Sequence, residues 1–209
     1  MTDNFDIIKP LLKFERRGDF YFVQILLRKK DGNNVPNGKD NQKRDLKDFY
    51  ITSTDCLDRI KDEVVEMCEK NNSRAYIRLN RRNYEDISLA LAEEMLRKAR
   101  LHEEFRNPIA EINSIIGKNH SEGKNKTWVV DIDDFGPDTE KVAKVKDIIS
   151  RCEPLDSEKI VAVLPTRSGT HLITRPFNVQ KFNELKRVEL DEDGEVAVLK
   201  DNPTILYAL

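Results

Sequence analysis

Cysteine is scarce in this chain of 209 residues: Cys56, Cys68 and Cys152 are the three present, and no two have CxxC spacing. An odd count without metal-ligand spacing points to reduced, mostly structural thiols in a cytoplasmic setting, and away from zinc or a disulfide scaffold. Apolar residues nowhere run to the roughly 18 in succession that a membrane span needs. The start, Met1 to Phe20, lacks a basic segment followed by an apolar stretch, so neither secretion nor membrane insertion is expected. No repeat recurs at a fixed period. Charge of one sign is also missing overall, with a formal net charge of -2. That balance neither indicates nor excludes nucleic acid, but it hides a basic segment from Arg28 to Lys47 and an acidic one from Glu189 to Glu195.

What is present suffices for a packed protein. Hydrophobic residues make up 38% of the chain against 35% charged, and the length allows one large domain or two small lobes without a structural metal. Residues 20–28, FYFVQILLR, read as a strand, with DFYIT at 48–52 as its partner across a long Gly/Asn/Pro-rich basic loop. Ser53 or Thr54 caps a helix carrying Leu57, Ile60, Val64, Val65 and Cys68, which Asn71-Asn72 ends. RAYIRLN at 74–80 is a third strand; Asn83 caps a helix from Tyr84 to Arg100, and a further helix covers Pro108 to Ile116. The second half reads KTWVVDID (strand), a helix from Pro137 or Asp138, KIVAVLPT and THLITRPF (strands joined at Arg167-Ser168-Gly169), a helix opened by Asn178, and EVAVLK (strand). TILYAL is a possible extra strand. The fold class is therefore α+β: an α/β lobe over 1–105 and a βαββαβ lobe over 106–209.

Right-handed crossovers make the first and third strands of such a unit adjacent and antiparallel, with the fourth beside the first. The end of the first strand, with Asp131 and Asp133, then lies beside the start of the third, with His171. Residues two apart on a strand share a face, so the two carboxylates form a hard-oxygen pair suited to Mg²⁺ or Mn²⁺. Arg167, Ser168, His171 and the backbone N–H groups of the turn supply donors to phosphates, as phosphoryl or nucleotidyl transfer requires. Each feature has a plainer counterpart. Asp133-Asp134 before Phe135-Gly136-Pro137 fits a strand running into a turn, and a strand histidine is often structural.

WVVDIDD and PTRSGTHLIT together resemble the first two motifs of the archaeo-eukaryotic primase and primase-polymerase superfamily, over roughly residues 126–204. The resemblance implies an RRM-like (ferredoxin-like) lobe, divalent metal on Asp131 and Asp133, and nucleotide contact by Ser168 and His171; beside it, the cations Arg167 and Lys200 are further candidate triphosphate contacts. It also implies nucleoside triphosphates and a DNA or RNA template as substrates, and replication proteins as partners. VAVLKDNPT offers Asp201, followed by Thr204, for the family's third acidic motif. The simple βαββαβ unit, however, puts Asp201 at the end of its strand remote from Asp131, and Asp191, Asp193 and Glu195 at the near end.

In the first half, Arg74, Tyr76 and Arg78 share one strand face, which can track phosphates and stack a base. Lys29 and Lys30 open the basic loop and are candidate nucleic-acid contacts. Lys29-Lys30-Asp31-Gly32 also matches the Lys-x-Asp-Gly shape of the ligase nucleophile motif, without partner motifs. A metal-dependent phosphoesterase or nuclease would use the same Asp131, Asp133 and His171. A nucleic-acid-binding module that kept the fold but lost a complete active site is the non-enzymatic alternative.

Overall fold

A computed structural model describes residues 1–33, 43–104, 108–118, 126–190 and 196–209. The protein is α+β, with two antiparallel sheets. The first contains β1 (Thr2–Asp3), β2 (Asp19–Arg28), β3 (Lys43–Ile51), β4 (Arg74–Asn83) and β9 (Thr204–Ala208), in the order β1-β9-β4-β2-β3. Its helices are the short α1 (Phe5–Ile8), α2 (Thr54–Asn71), α3 (Tyr84–Arg100) and α4 (Pro108–Lys118). The second contains β5 (Trp128–Asp133), β6 (Ile160–Pro165), β7 (Gly169–Thr174) and β8 (Val196–Leu199), with α5 (Glu140–Ser150) and α6 (Val179–Glu189). Its strand order is β6-β7-β5-β8, so β5 and β7 are central neighbours and β8 lies on the other side of β5. Among the described residues no helix is long and apolar enough to cross a membrane.

β2 explains its own place inside the sheet, between β4 and β3. Tyr21, Val23 and Ile25 face the cluster containing Leu57, Val64 and Cys68 of α2, while Phe20 and Phe22 meet Ile87 of α3 and Ile115 and Ile116 of α4. A strand buried on both faces needs apolar residues at successive positions, which is why this run shows little alternation. The helices start where short polar side chains can satisfy free N–H groups: Ser53 accepts from Cys56, Asn83 from Glu85, Thr139 from Val142 and Asn178 from Lys181. Helix α5 thus begins at Glu140, slightly later than Pro137 or Asp138, because the Thr139 hydroxyl is the cap. Asn72 ends α2 in the left-handed conformation, at φ 45°.

The second sheet is covered on both faces as well. Val130, Ile132 and Leu172 pack on Val142, Val145, Ile148 and Ile149 of α5 and Phe182 of α6. On the opposite face Val129, Leu164 and Ile173 join the core cluster of the first sheet. A fully buried side chain of this size contributes about 1.5–3 kcal/mol relative to exposure, before chain entropy is counted, so this shared core holds the sheets together.

Three strands depart from what the sequence predicts. β3 begins at Lys43, so residues 43–47, expected as loop, pair with β2 from Arg28↔Lys43 to Ile25↔Lys47. β4 continues to Asn83 because β2 extends alongside it, with an irregularity between Phe20 and Phe22. The final strand, at TILYAL, leaves the second half and inserts between β1 and β4 of the first sheet. Lys39 and the rest of the basic loop from 34 to 42 lie outside the described residues.

Candidate functional site

The register of β5 and β7 creates the site. Asp131 is the direct cross-strand partner of His171, and Asp133 that of Gly169. Partners across an antiparallel pair share a face, and here His171 Nε2 lies 3.2 Å from Asp131 Oδ1. The other ring nitrogen, Nδ1, is 2.8 Å from the hydroxyl of Thr204, which is fully buried at the start of β9. The imidazole is thus held at both nitrogens, between one residue of its own sheet and one of the other.

Gly169 is required here by close approach. A Cβ built on it would overlap the Ile132 carbonyl oxygen and come within 3.1 Å of the Asp133 Cα. The turn before it is closed by two reciprocal bonds: Thr166 N donates to Gly169 O, and Gly169 N donates to Thr166 Oγ1, both at 2.9 Å. Beyond it, the Thr170 hydroxyl donates to Phe135 O at 2.7 Å and ties down the chain leaving β5. Ser168 and Arg167 are exposed at the turn's tip.

A cleft of about 330 Å³ opens between this strand end and the first sheet. Asp131, Asp133, Thr166, Ser168 and His171 stand on one side, and Arg28, Arg74, Tyr76 and Arg78 on the other. The pairings Leu26↔Arg74, Gln24↔Tyr76 and Phe22↔Arg78 put Arg28, two residues beyond Leu26, on the same face as the three β4 residues. Arg28 donates to the Tyr76 hydroxyl at 2.8 Å, and its guanidinium sits 5.9 Å above the ring. Arg74 forms a two-pronged pair with the carboxylate of Asp31, whose side chain is 3% exposed. Arg78 donates to the Asp201 carbonyl at 2.6 Å, while its Nε is buried with no hydrogen-bond partner among the described residues. Burial lowers the Arg78 pKa below the usual guanidinium value, partly opposed by Asp201.

The acidic pair thus faces three cations across one opening. Strand alternation puts Arg74, Tyr76 and Arg78 on one face, and topology puts Asp131, Asp133, Ser168 and His171 at one strand end; the tertiary structure brings both sets to one cleft. Arg28, Asp31 and Thr166 were not among the candidates. Arg28 was accessible through strand alternation only once its register with β4 was known.

Several other candidates sit elsewhere. Asp201 is at the far end of β5, where its carboxylate accepts from Asn80 Nδ2 at 2.8 Å and Arg82 Nη2 at 3.0 Å; Asn80 also donates to Thr127 O at 2.9 Å. Arg82 is 1% exposed, and burial brings its pKa down to about 10 despite the Asp201 charge. The Lys200 ammonium lies 5.4 Å over the Trp128 ring, at the opposite end of β5 from Asp133. Lys29 and Lys30 fall in a 3₁₀ turn, Lys29–Asp31, that follows β2. In the Lys-x-Asp-Gly segment, Gly32 adopts φ 82° and Asp31 is engaged by arginines, so the motif forms a salt-bridged turn. Asp191, Asp193 and Glu195 lie outside the described residues. Among the described residues, no group of three or more His, Cys, Asp or Glu side chains is gathered closely enough to hold a metal ion by itself.

Compared with protein-family models, curated proteins and solved structures, the chain gives no match.

Proposed function

We propose that this chain is a primase-polymerase-like nucleotidyltransferase, with an N-terminal α/β lobe and a C-terminal RRM-like (ferredoxin-like) lobe, acting on nucleoside triphosphates and a nucleic-acid template. The observation that carries this reading is the cleft itself: Asp131, Asp133 and His171 face Arg28, Arg74 and Arg78 across about 330 Å³, near the lower end of ordinary ligand-site volumes. Phosphoryl chemistry needs this combination of carboxylates for a divalent cation and cations for the phosphates, because its catalysis is mainly positioning and charge stabilisation.

The donor set fits Mg²⁺ or Mn²⁺. Asp131 is partly exposed, Asp133 is exposed, and both line the cleft, so two carboxylates with waters and phosphate oxygens complete the shell such ions prefer. Bound there, the ion would neutralise phosphate charge and orient the α-phosphate. His171, Ser168 and Thr166 would hold the triphosphate from the β7 side, and the arginine wall would hold the phosphates or the template backbone. A 3′-hydroxyl or initiating nucleotide would form the new bond to the α-phosphate as pyrophosphate leaves. Lys29, Lys30 and Lys200 are proposed as outlying contacts for nucleic acid and nucleotide, and replication proteins as partners.

Incubation with labelled nucleoside triphosphates, primed and unprimed templates and Mn²⁺ tests the activity. Template-dependent extension is the expected result. Strand cutting without nucleotide would instead establish a nuclease, and self-adenylation a ligase-type enzyme.

One observation favours a second reading, a nucleic-acid-binding module without catalysis. The Asp201 carboxylate is taken up by Asn80 and Arg82, away from Asp131. Under that reading Asp131→Asn leaves nucleic-acid affinity unchanged and Mn²⁺ finds no site at Asp131 and Asp133.

A further inference from the structure

The hydrogen-bond polarity around His171 can be worked out from its neighbours. A neutral imidazole donates from one nitrogen and accepts at the other, and which is which follows from what each one faces. Nε2 faces Asp131 Oδ1 at 3.2 Å, and an ionised carboxylate only accepts. Nδ1 faces the Thr204 hydroxyl at 2.8 Å, and that hydroxyl is fully buried with His171 as its hydrogen-bond partner. Were Nδ1 to carry the proton, the buried Thr204 hydroxyl hydrogen would need another acceptor, and two acceptors, Nε2 and Asp131, would meet at 3.2 Å. The first defect leaves a fully buried hydroxyl unsatisfied, which is the expensive case, and the second sets two acceptors against each other at the cleft wall. The arrangement without defects is Thr204 O–H donating to Nδ1 and Nε2–H donating to Asp131.

We propose that Thr204 is a positioning residue that holds His171 as its Nε2–H tautomer, so that the N–H donated to Asp131 in the free protein is presented to the cleft for a phosphate oxygen to accept in place of that carboxylate. This assigns His171 as a hydrogen-bond donor. A metal ligand or a general base at Nε2 would need the lone pair that this tautomer covers with hydrogen. The donor role rests on reading the cleft as a phosphate-transfer site, whereas the tautomer does not. The lock also joins the sheets, since Thr204 opens β9 of the first and His171 lies in β7 of the second.

The chain has three histidines, so its imidazole nitrogens give a sparse spectrum. A long-range ¹H–¹⁵N correlation spectrum of the full labelled chain, without ligand, is expected to show the His171 proton on Nε2 and Nδ1 as the acceptor. His171→Gln identifies the signals by their loss. In Thr204→Val the ring is expected to become a mixture of tautomers, and affinity for inorganic triphosphate with Mn²⁺ to fall about tenfold, the loss of one hydrogen-bonded orientation. Thr204→Ser restores both. A wild-type ring protonated at Nδ1, or an unchanged tautomer in Thr204→Val, overturns the proposal, and the wild-type spectrum decides even if a variant misfolds. An Nε2–H ring in a protein that binds no triphosphate overturns the phosphate-transfer reading and the donor role, with the tautomer intact.

Discussion

Arg167, at the tip of the β6–β7 turn, donates to Asp31 Oδ1 at 3.0 Å, on the turn that follows β2. The bond crosses between the sheets, and Arg74 grips the same carboxylate from β4. Asp31 is 3% exposed and Arg167 45%, so one carboxylate serves a confined partner and a solvated one. Removing a partner from a buried pair costs about 3–5 kcal/mol, whereas an exposed pair is worth about 0–1 kcal/mol. Urea unfolding is therefore expected to show a large loss for Asp31→Ala and a change below about 1 kcal/mol for Arg167→Ala. Equal losses would mean that the Arg167 bond alone carries as much as all the partners of Asp31 together.

Asp201 separates a structural carboxylate from a metal ligand. Asp201→Asn removes the charge that balances Arg82 in its buried setting, and a stability loss on the order of 3 kcal/mol is expected, with Mn²⁺ affinity unchanged. Calorimetric titration of Mn²⁺ into the variant checks this. A collapse of Mn²⁺ binding in a folded Asp201→Asn protein would make Asp201 part of the metal site.

Asp131→Asn and Asp133→Asn are each expected to weaken Mn²⁺ binding at least about tenfold, since each removes one of two hard anionic ligands. Paramagnetic broadening of the His171 ring signals by Mn²⁺ is a second readout. Broadening that persists in both variants would place the ion elsewhere.

Gly169→Ala adds one methyl group and alters no charge, yet the methyl meets the backbone at Ile132 and Asp133 rather than a yielding side chain. A loss of about 1–3 kcal/mol is expected, together with weaker Mn²⁺ binding because Asp133 shifts. A melting temperature equal to wild type would show that the strands accommodate it.

Cys68 is fully buried and Cys56 only partly so. Burial pushes the Cys68 thiol up to about 11, so it remains protonated at neutral pH while its unfolded counterpart ionises near 9. The associated stabilisation is full below the unfolded value and is lost as pH rises through about 11. A thiol reagent at pH 8 is expected to label Cys56 first and Cys68 only on unfolding. Rapid labelling of Cys68 in the native protein would contradict its burial.

Much of the secondary structure could be read from the sequence because its signals are local. Ser53, Asn83 and Asn178 stand at helix starts where short polar side chains satisfy free N–H groups. The apolar runs of β5, β6 and β7 mark buried strands, and the right-handed crossover rule orders them. The neighbourhood of Asp131 and His171 followed from that order, as did the remoteness of Asp201 from Asp131. The start of β3 at Lys43 was hidden, because charged edge residues carry little periodicity and their strand character comes from pairing with β2.

By itself, then, the sequence determined where most of the strands and helices lie, that Asp131 and Asp133 share a face, and that Arg74, Tyr76 and Arg78 share another, since each follows from periodicity within a few residues. Only the tertiary structure decided that the two faces meet in one cleft, that β9 returns to the first sheet with Thr204 against His171, and that Asp31 links Arg74 to Arg167. Those relationships join residues far apart in the chain, and their free energy comes from the core shared by the sheets and from buried polar groups finding partners, neither of which leaves a local pattern to read.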